Sequence, residues 1–322
     1  MNKKALIFGI TGQDGILMSK YLLNKGYSVF GTFHNSSNEN ILKLKKYSKI
    51  DENCIYKIDV INQHEVTSLI NNINPCEIYN FAGITSVADS FNEPKLTFQT
   101  NFIGTLNILE TLKTNKRELK FFNAGSGDCF GELQHGNMAN EETKFNPKSP
   151  YAISKASSYY LVKNYRESYN IKCCTGILFN HESQFRSEKF VTKKIVATAH
   201  RISNGSKEKL KLGNIQIYRD WGWAEEYIKV MHQMLQIDRQ EDMVISTGSS
   251  HSLEEFVEYC FELFDLNYKD HIEINNQLIR PTDIGYTCGN SNKAYKKLGW
   301  KSETDFYSMI EKMKNIEIQN IL

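Results

Sequence analysis

The chain has 322 residues, enough to bury a large core in one domain, or in one domain with an attached lobe. Its 39 Lys and Arg against 37 Asp and Glu leave a net charge of +2, which excludes a nucleic-acid surface built on charge alone. No apolar run approaches the ~20 residues of a membrane span, and 5–10 is too short for a signal-peptide core.

Lys4-Ala-Leu-Ile-Phe8 reads as a strand buried on both faces. It runs into Gly9-Ile-Thr-Gly12-Gln-Asp-Gly15; an amphipathic helix over 16–25 follows, closed by Gly26, and a second strand spans Ser28–Phe33. Strand, glycine turn, helix and strand suit a dinucleotide phosphate site, because glycines admit a pyrophosphate to the backbone and the helix N-terminus binds the anion. The spacing is Gly-x-x-Gly-x-x-Gly, and an ordinary glycine-rich turn is the alternative.

The alternation continues with a short helix over 41–47, a strand over 54–58 ending at Asp59, a helix over 65–72 and a strand over 76–81 ending in Ala82-Gly83. A long helix over 94–113 and a strand over 119–123, ending in Ala124-Gly-Ser126-Gly-Asp128, come next. In Ser149-Pro-Tyr-Ala-Ile-Ser-Lys155, Ser149 is an N-cap and Pro150 suits the first helical turn. Tyr151 and Lys155 then lie one turn apart on one face, where an ammonium can lower a phenol's pKa. A strand over 172–179 follows. The pattern predicts an α/β fold with a doubly wound, mostly parallel sheet, its ligands beyond the carboxyl ends of the strands, where Gly9, Asp59, Ala82, Ser126 and Asn180 fall.

The second half is less regular: helix Val191–Ser203, a short strand at 210–214, Arg219-Asp-Trp-Gly-Trp223 leading into a helix, and a strand over 243–246 returning to the sheet. A helix over 252–264 opens with a capping box, Ser252 to Glu255, and helices over 291–298 and 305–313 close the chain. We expect a dinucleotide-binding domain over 1–178, rejoined by 216–248, and a substrate lobe from 179–215 and 249–322. Seven cysteines without a Cys-x-x-Cys read as reduced thiols in a cytoplasmic protein with no metal site. His135, His200 and His232 have no motif around them and read as surface or core residues.

The glycine turn at 9–15, Asp59, Asn101 and Tyr151-x-x-x-Lys155 together resemble an extended short-chain dehydrogenase/reductase with a Rossmann sheet. Gly176-Ile-Leu-Phe-Asn-His-Glu-Ser183, Asn164-Tyr-Arg-Glu-Ser-Tyr169, Phe190-Val-Thr-Lys-Lys-Ile195, Arg219-Asp-Trp-Gly222 and Lys297-Leu-Gly-Trp300 make nearly the whole chain similar to the GDP-mannose 4,6-dehydratase family. The resemblance implies a GDP-sugar substrate, NADP (or NAD) as cofactor, a homodimer with a tetramer possible, and a 4-keto-6-deoxy product. Tyr151 would take the proton of the sugar 4-hydroxyl, Ser126 would bond the same oxygen, and Lys155 would hold the nicotinamide ribose and lower the phenol pKa. Asp128 stands where the family has the glutamate that removes the C5 proton, one methylene shorter.

The resemblance places the cofactor on Gly9, Thr11, Gly12, Gln13, Asp14 and Gly15, on His34, Asn35 and Ser36, and on Asp59 and Val60. Phe81, Ala82, Gly83 and Thr85 would continue that site, with His181 and Arg186 supporting NADP. It places the substrate on Thr85, Ser126, Asn180, Val191, Lys194, Leu212, Gly213, Arg219 and Arg280, the arginines suiting a pyrophosphate. The family's two arginines after the second strand are replaced by His34-Asn35, and no acidic residue for a free 2′-hydroxyl stands there, so NADP and NAD both stay open. Two other readings stay open as well: a GDP-sugar 4-dehydrogenase or 4-epimerase that stops short of elimination, and a non-catalytic nucleotide-binding protein.

Overall fold

The structure is a computed structural model that describes residues 3–115 and 117–319. Its strands are β1 (Lys4–Phe8), β2 (Ser28–Phe33), β3 (Ile55–Lys57), β4 (Glu77–Asn80), β5 (Lys120–Ala124), β6 (Cys173–Leu178), β7 (Asn180–Glu182), β8 (Leu210–Leu212), β9 (Tyr218–Arg219), β10 (Trp221–Trp223) and β11 (Met243–Ile245). Seven of them form one sheet in the order β11-β6-β5-β4-β1-β2-β3, and every pairing in it is parallel. The reversal between β1 and β4 opens the crevice where ligands of such sheets bind.

The period of two along β1 explains why its whole run is apolar. Ala5 and Ile7 pack with Met18 and Leu22 on one face, while Leu6 and Phe8 pack with Ile70 and Ile108 on the other. The flanking helices are α1 (Gln13–Asn24), α2 (Asn38–Ser48), α3 (Gln63–Ile73), α4 (Val87–Asn92), α5 (Pro94–Phe98), α6 (Gly104–Thr114), α7 (Pro150–Tyr169), α8 (Val191–Ser203), α9 (Ala224–Gln236), α10 (Leu253–Glu262), α11 (Asn292–Leu298) and α12 (Phe306–Gln319). A separate core joins Ile195 and Val196 of α8, Leu210 and Leu212 of β8, Phe256 and Cys260 of α10, and Met309 and Ile310 of α12. Between sheet and lobe, β7 and β10 form a parallel pair.

Several local expectations hold in detail. Ser149 caps α7, its Oγ accepting from Ala152 N at 3.1 Å, and Ser252 caps α10 by accepting from Glu255 N at 3.0 Å. Others are corrected. α2 starts at Asn38 because Ser37 caps it through Asn40 N. α4 had no counterpart in the sequence reading, and α12 runs past 313 to Gln319. The helix expected over 94–113 is interrupted: a π turn at Gln99–Ile103 separates α5 from α6. No described helix is long and apolar enough to cross a membrane.

Candidate active site

Loops at the carboxyl ends of β1, β4, β5 and β6 converge with the start of α7. Gly9 takes φ +80°, and a Cβ there would come within 2.7 Å of Ala82 N, so the first glycine turn lies directly against the end of β4. Gly15 is equally tight, its Cβ position falling 2.4 Å from Gly9 O, whereas Gly12 meets only that oxygen at 3.5 Å. Gly12 is the N-cap of α1, and no side chain closes the first N–H groups of that helix. The turn is thus packed underneath and open above, which fits a dinucleotide pyrophosphate at a helix N-terminus.

Asn101, in the π turn, binds both sides of the next wall. Its Oδ1 accepts from Ile84 N at 2.9 Å, and its Nδ2 donates to Ser154 Oγ at 2.9 Å and Ile84 O at 3.2 Å. Gly83 is required there, since a Cβ would meet Asn101 Oδ1 at 2.6 Å. A Cβ on Gly83 would also lie 3.7 Å from Lys155 Nζ in α7, while Ala82 lies against Gly9, Phe81 packs with Tyr79 and Phe122, and Thr85 is exposed. Lys155 is buried and its Nζ donates to Ala124 O at 2.9 Å. Burial pulls its pKa down to about 8, against the pull of Cys129 and Asp14.

Tyr151 corrects one expectation. Burial pushes its phenol up, and the charge of Asp128 pushes further, while a hydrogen bond with Ser126 opposes both. The Lys155 ammonium is turned to the Ala124 carbonyl and does not set the phenol's direction. Ser126 also accepts from Asp128 N at 3.2 Å, capping a 3-10 turn over Gly127–Phe130. A phenol, a hydroxyl and a carboxylate thus share one pocket wall.

Arg219 is 7% exposed and its Nη2 lies 3.5 Å from Asp283 Oδ1; Arg280 Nη1 lies 3.9 Å from the same oxygen. Burial lowers the Arg219 pKa, opposed by Asp128 and Asp283. Sequence reasoning missed Asp283, although it stands three residues after Arg280, and missed Glu132, which accepts from Gly285 N at 2.6 Å and Tyr286 N at 3.0 Å. These carboxylates hold the arginine loop beside the Ser126–Asp128 turn.

Other expected residues lie farther from this wall. Lys194 donates to Lys211 O at 2.6 Å, and Leu212 is buried in the lobe core. Gly213 runs against Leu278, its Cβ position 3.1 Å from Leu278 O, and Val191 opens α8. Asn180 begins β7, in register with Trp221. Beyond the end of β2, His34 Nε2 lies 3.9 Å from Asp59 Oδ2, Asp59 Oδ1 accepts from Ile61 N at 3.0 Å, and Val60 packs under Gly104. Asn35 is exposed and the Ser36 hydroxyl is buried without a partner. His181 uses both ring nitrogens within the protein, on Phe179 O and on Asp14. Arg186 Nε stands 3.0 Å from Glu182 and its guanidinium lies 3.7 Å from the centre of the Phe190 ring.

The family model described as GDP-mannose 4,6 dehydratase matches residues 6–313. A relative from Arabidopsis thaliana, GDP-mannose 4,6 dehydratase 1, is 39% identical over 98% of this chain and 90% of its own. The chain belongs to the GDP-mannose 4,6-dehydratase family. Its fold is shared with dTDP-glucose 4,6-dehydratase of Bacillus anthracis in complex with NAD, at TM-score 0.86 and 22% identity over 99% of this chain and 97% of that one. RMD of Pseudomonas aeruginosa, complexed with NADPH, matches at TM-score 0.81 and 19% identity over 99% of this chain and 100% of that one.

Proposed function

We propose that this protein is a cytoplasmic, NADP-dependent GDP-sugar 4,6-dehydratase acting on GDP-mannose or a related manno-configured GDP-sugar. The observation that carries the reading is the carboxylate of Asp128 beside the Ser126–Tyr151 pair. Oxidation at C4 alone needs the phenol and the hydroxyl; elimination needs a further base.

The nicotinamide, when bound, supplies a reversible store for the hydride that leaves C4 and returns to C6. Tyr151 takes the 4-hydroxyl proton while Ser126 bonds that oxygen, and Lys155 would hold the nicotinamide ribose. The C4 ketone acidifies C5, whose proton passes to Asp128 and leaves with the 6-hydroxyl as water. The proton gained by Tyr151 is the one C5 needs at the end, so the product is a 4-keto-6-deoxy sugar and the phenolate that began the cycle is restored. Asn180, Lys194, Arg219 and Arg280 would bind the GDP moiety, with Thr85, Val191, Leu212 and Gly213 shaping its pocket. We assign 1–178 with 216–248 to the dinucleotide domain and 179–215 with 249–322 to the lobe; Ala294, Leu298 and Trp300 nevertheless pack in the core of the sheet, and 320–322 lie outside the described residues.

Homodimer formation is supported by a face on neighbouring helices. Leu96 and Phe98 of α5 and Ile153 and Tyr160 of α7 are 37–57% exposed, and the two helices lie side by side. Sedimentation at micromolar concentration should give a dimer; a monomer would refute it. A reducing compartment fits the seven free cysteines.

Incubation with GDP-mannose and other GDP-sugars, followed by mass spectrometry, should show loss of one water. Reduction of the cofactor without water loss would favour the 4-dehydrogenase reading, which the shortened carboxylate of Asp128 motivates. Binding without any turnover would favour a nucleotide-binding protein.

A further inference from the structure

Asp14 is the second residue of α1, at the mouth of the helix that would receive the pyrophosphate. A carboxylate is an unfavourable neighbour for a phosphate unless something neutralises it. His181, 167 positions away on β7, does so: its Nε2 lies 3.1 Å from both Asp14 oxygens. The other nitrogen, Nδ1, lies 2.8 Å from Phe179 O. A carbonyl and an ionised carboxylate only accept, so both ring nitrogens must donate and the ring is an imidazolium. The ring also stacks on Tyr227 of α9, centroids 4.8 Å apart at 23°.

Gln13 makes the same connection through neutral bonds. Its Nε2 donates to His181 O at 3.0 Å, and its Oε1 accepts from Ser183 Oγ at 2.9 Å. The glycine turn is therefore tied to β7 at two points, both on His181, and to Ser183 just after the strand at a third. Since β7 carries Asn180 and pairs with β10, which follows Arg219, the tie sets the cofactor turn against the expected substrate strand.

We propose that the Asp14–His181 ion pair is a proton-dependent clamp that positions the dinucleotide phosphate turn against the strand carrying Asn180. This rests on the dinucleotide reading of that turn. His181 contributes as a positioning residue, because it has no N–H left for a ligand. The groups facing it are Asp14 from α1, Glu182 on its own strand, Arg186 from the following turn and Tyr227 from α9. Burial would lower its pKa and Arg186 adds to that, but Asp14 outweighs them and the net direction is up. Burial would likewise raise Asp14, yet His181 brings it below the usual carboxylate range. A raised histidine pKa means the clamp is complete below the ordinary value of about 6.5 and is lost as pH rises through the folded value.

The test measures ADP-ribose affinity from pH 6 to 10 and, in parallel, follows the His181 ring by NMR in the ligand-free protein. ADP-ribose has no phosphate that titrates in that range. Affinity should fall at the same midpoint at which His181 loses its proton. Asp14→Asn, which preserves shape, should lower both midpoints together by about one pH unit or more. His181→Gln should abolish that step and leave the titration of Lys155 in place. Binding without a step that follows His181, or a His181 already neutral at pH 7 in the wild type, overturns the clamp alone. No binding at any pH overturns the dinucleotide reading and the clamp with it.

Discussion

Gly127 and Phe179 are in contact across the candidate site: a Cβ on Gly127 would meet three atoms of the Phe179 ring at 3.0 Å each. Phe179 is held in turn by Phe130, with the rings stacked 6.1 Å apart. The turn that presents Asp128 therefore sits as close to the end of β6 as a glycine allows. Gly127→Ala should push this turn outward, destabilise the protein by about 1–3 kcal/mol and lower dehydration more than cofactor binding. Equal activity and melting temperature in the variant would show that the close approach has no consequence for Asp128.

The same geometry bears on Asp128→Glu. If the glycine lets the backbone carry a shorter side chain to the substrate, the longer one overshoots. A misplacement near 1 Å costs on the order of 100-fold, so the variant should dehydrate its GDP-sugar far more slowly than wild type. Rates at or above wild type would mean that the turn has not adapted to the shorter carboxylate.

Asp128→Asn and Tyr151→Phe separate the two proton transfers. General-base steps contribute about 100- to 10,000-fold, so each should suppress product strongly. Asp128→Asn should leave oxidation at C4 possible, and reduced cofactor should accumulate in the near-ultraviolet spectrum. Tyr151→Phe should give none. Full water release by Asp128→Asn would assign the C5 base to another group.

Cofactor preference is open to titration. With His34-Asn35 in place of an arginine pair, NADP should be favoured over NAD by less than about 1000-fold, roughly 4 kcal/mol. His34→Arg should widen the gap, since a guanidinium offers a phosphate a planar fork. A larger preference in the wild type would mean that another cation reads the 2′-phosphate.

At the opposite end of the sheet, His232 is buried beside Tyr27, Nε2 to OH 3.3 Å. Burial lowers its pKa to about 4; Glu77 opposes this, and Lys25, Lys3 and Lys120 add to it. The unfolded chain binds this proton near the ordinary value of about 6.5, so stability falls as pH drops from there towards the folded value. The loss should be on the order of 2 kcal/mol, allowing for partial hydration. Urea denaturation at neutral and at mildly acidic pH checks it: His232→Gln should show a smaller decline, and an equal decline would place the acid sensitivity elsewhere.

Much of this was legible from local chemistry. Ser28–Phe33 follows Gly26, and Ser149-Pro150 both caps and starts α7, so those elements needed no tertiary information. The π turn was not legible, because Gln99-Thr-Asn-Phe-Ile103 has ordinary helical residues and its wide turn accompanies long-range bonds from Asn101 to Ile84 and Ser154. The arginine loop hid for a similar reason: Glu132 reaches Gly285 across 153 positions. Tyr151 was misjudged in direction because a neighbouring lysine is visible in sequence, whereas burial and the carbonyl that occupies that lysine are not.

The π turn also has a consequence for how one rod serves two surfaces. Each residue advances an α-helix by about 100°, so one additional residue in a turn rotates all that precedes it by that angle relative to all that follows. Leu96 and Phe98 point outward before the turn, while Ile108, Leu109 and Leu112 point into the core after it. The azimuths of the two sets are thereby uncoupled. Removing one residue between Gln99 and Ile103 would smooth the rod, but its outer apolar side chains would swing more than a quarter turn off their face.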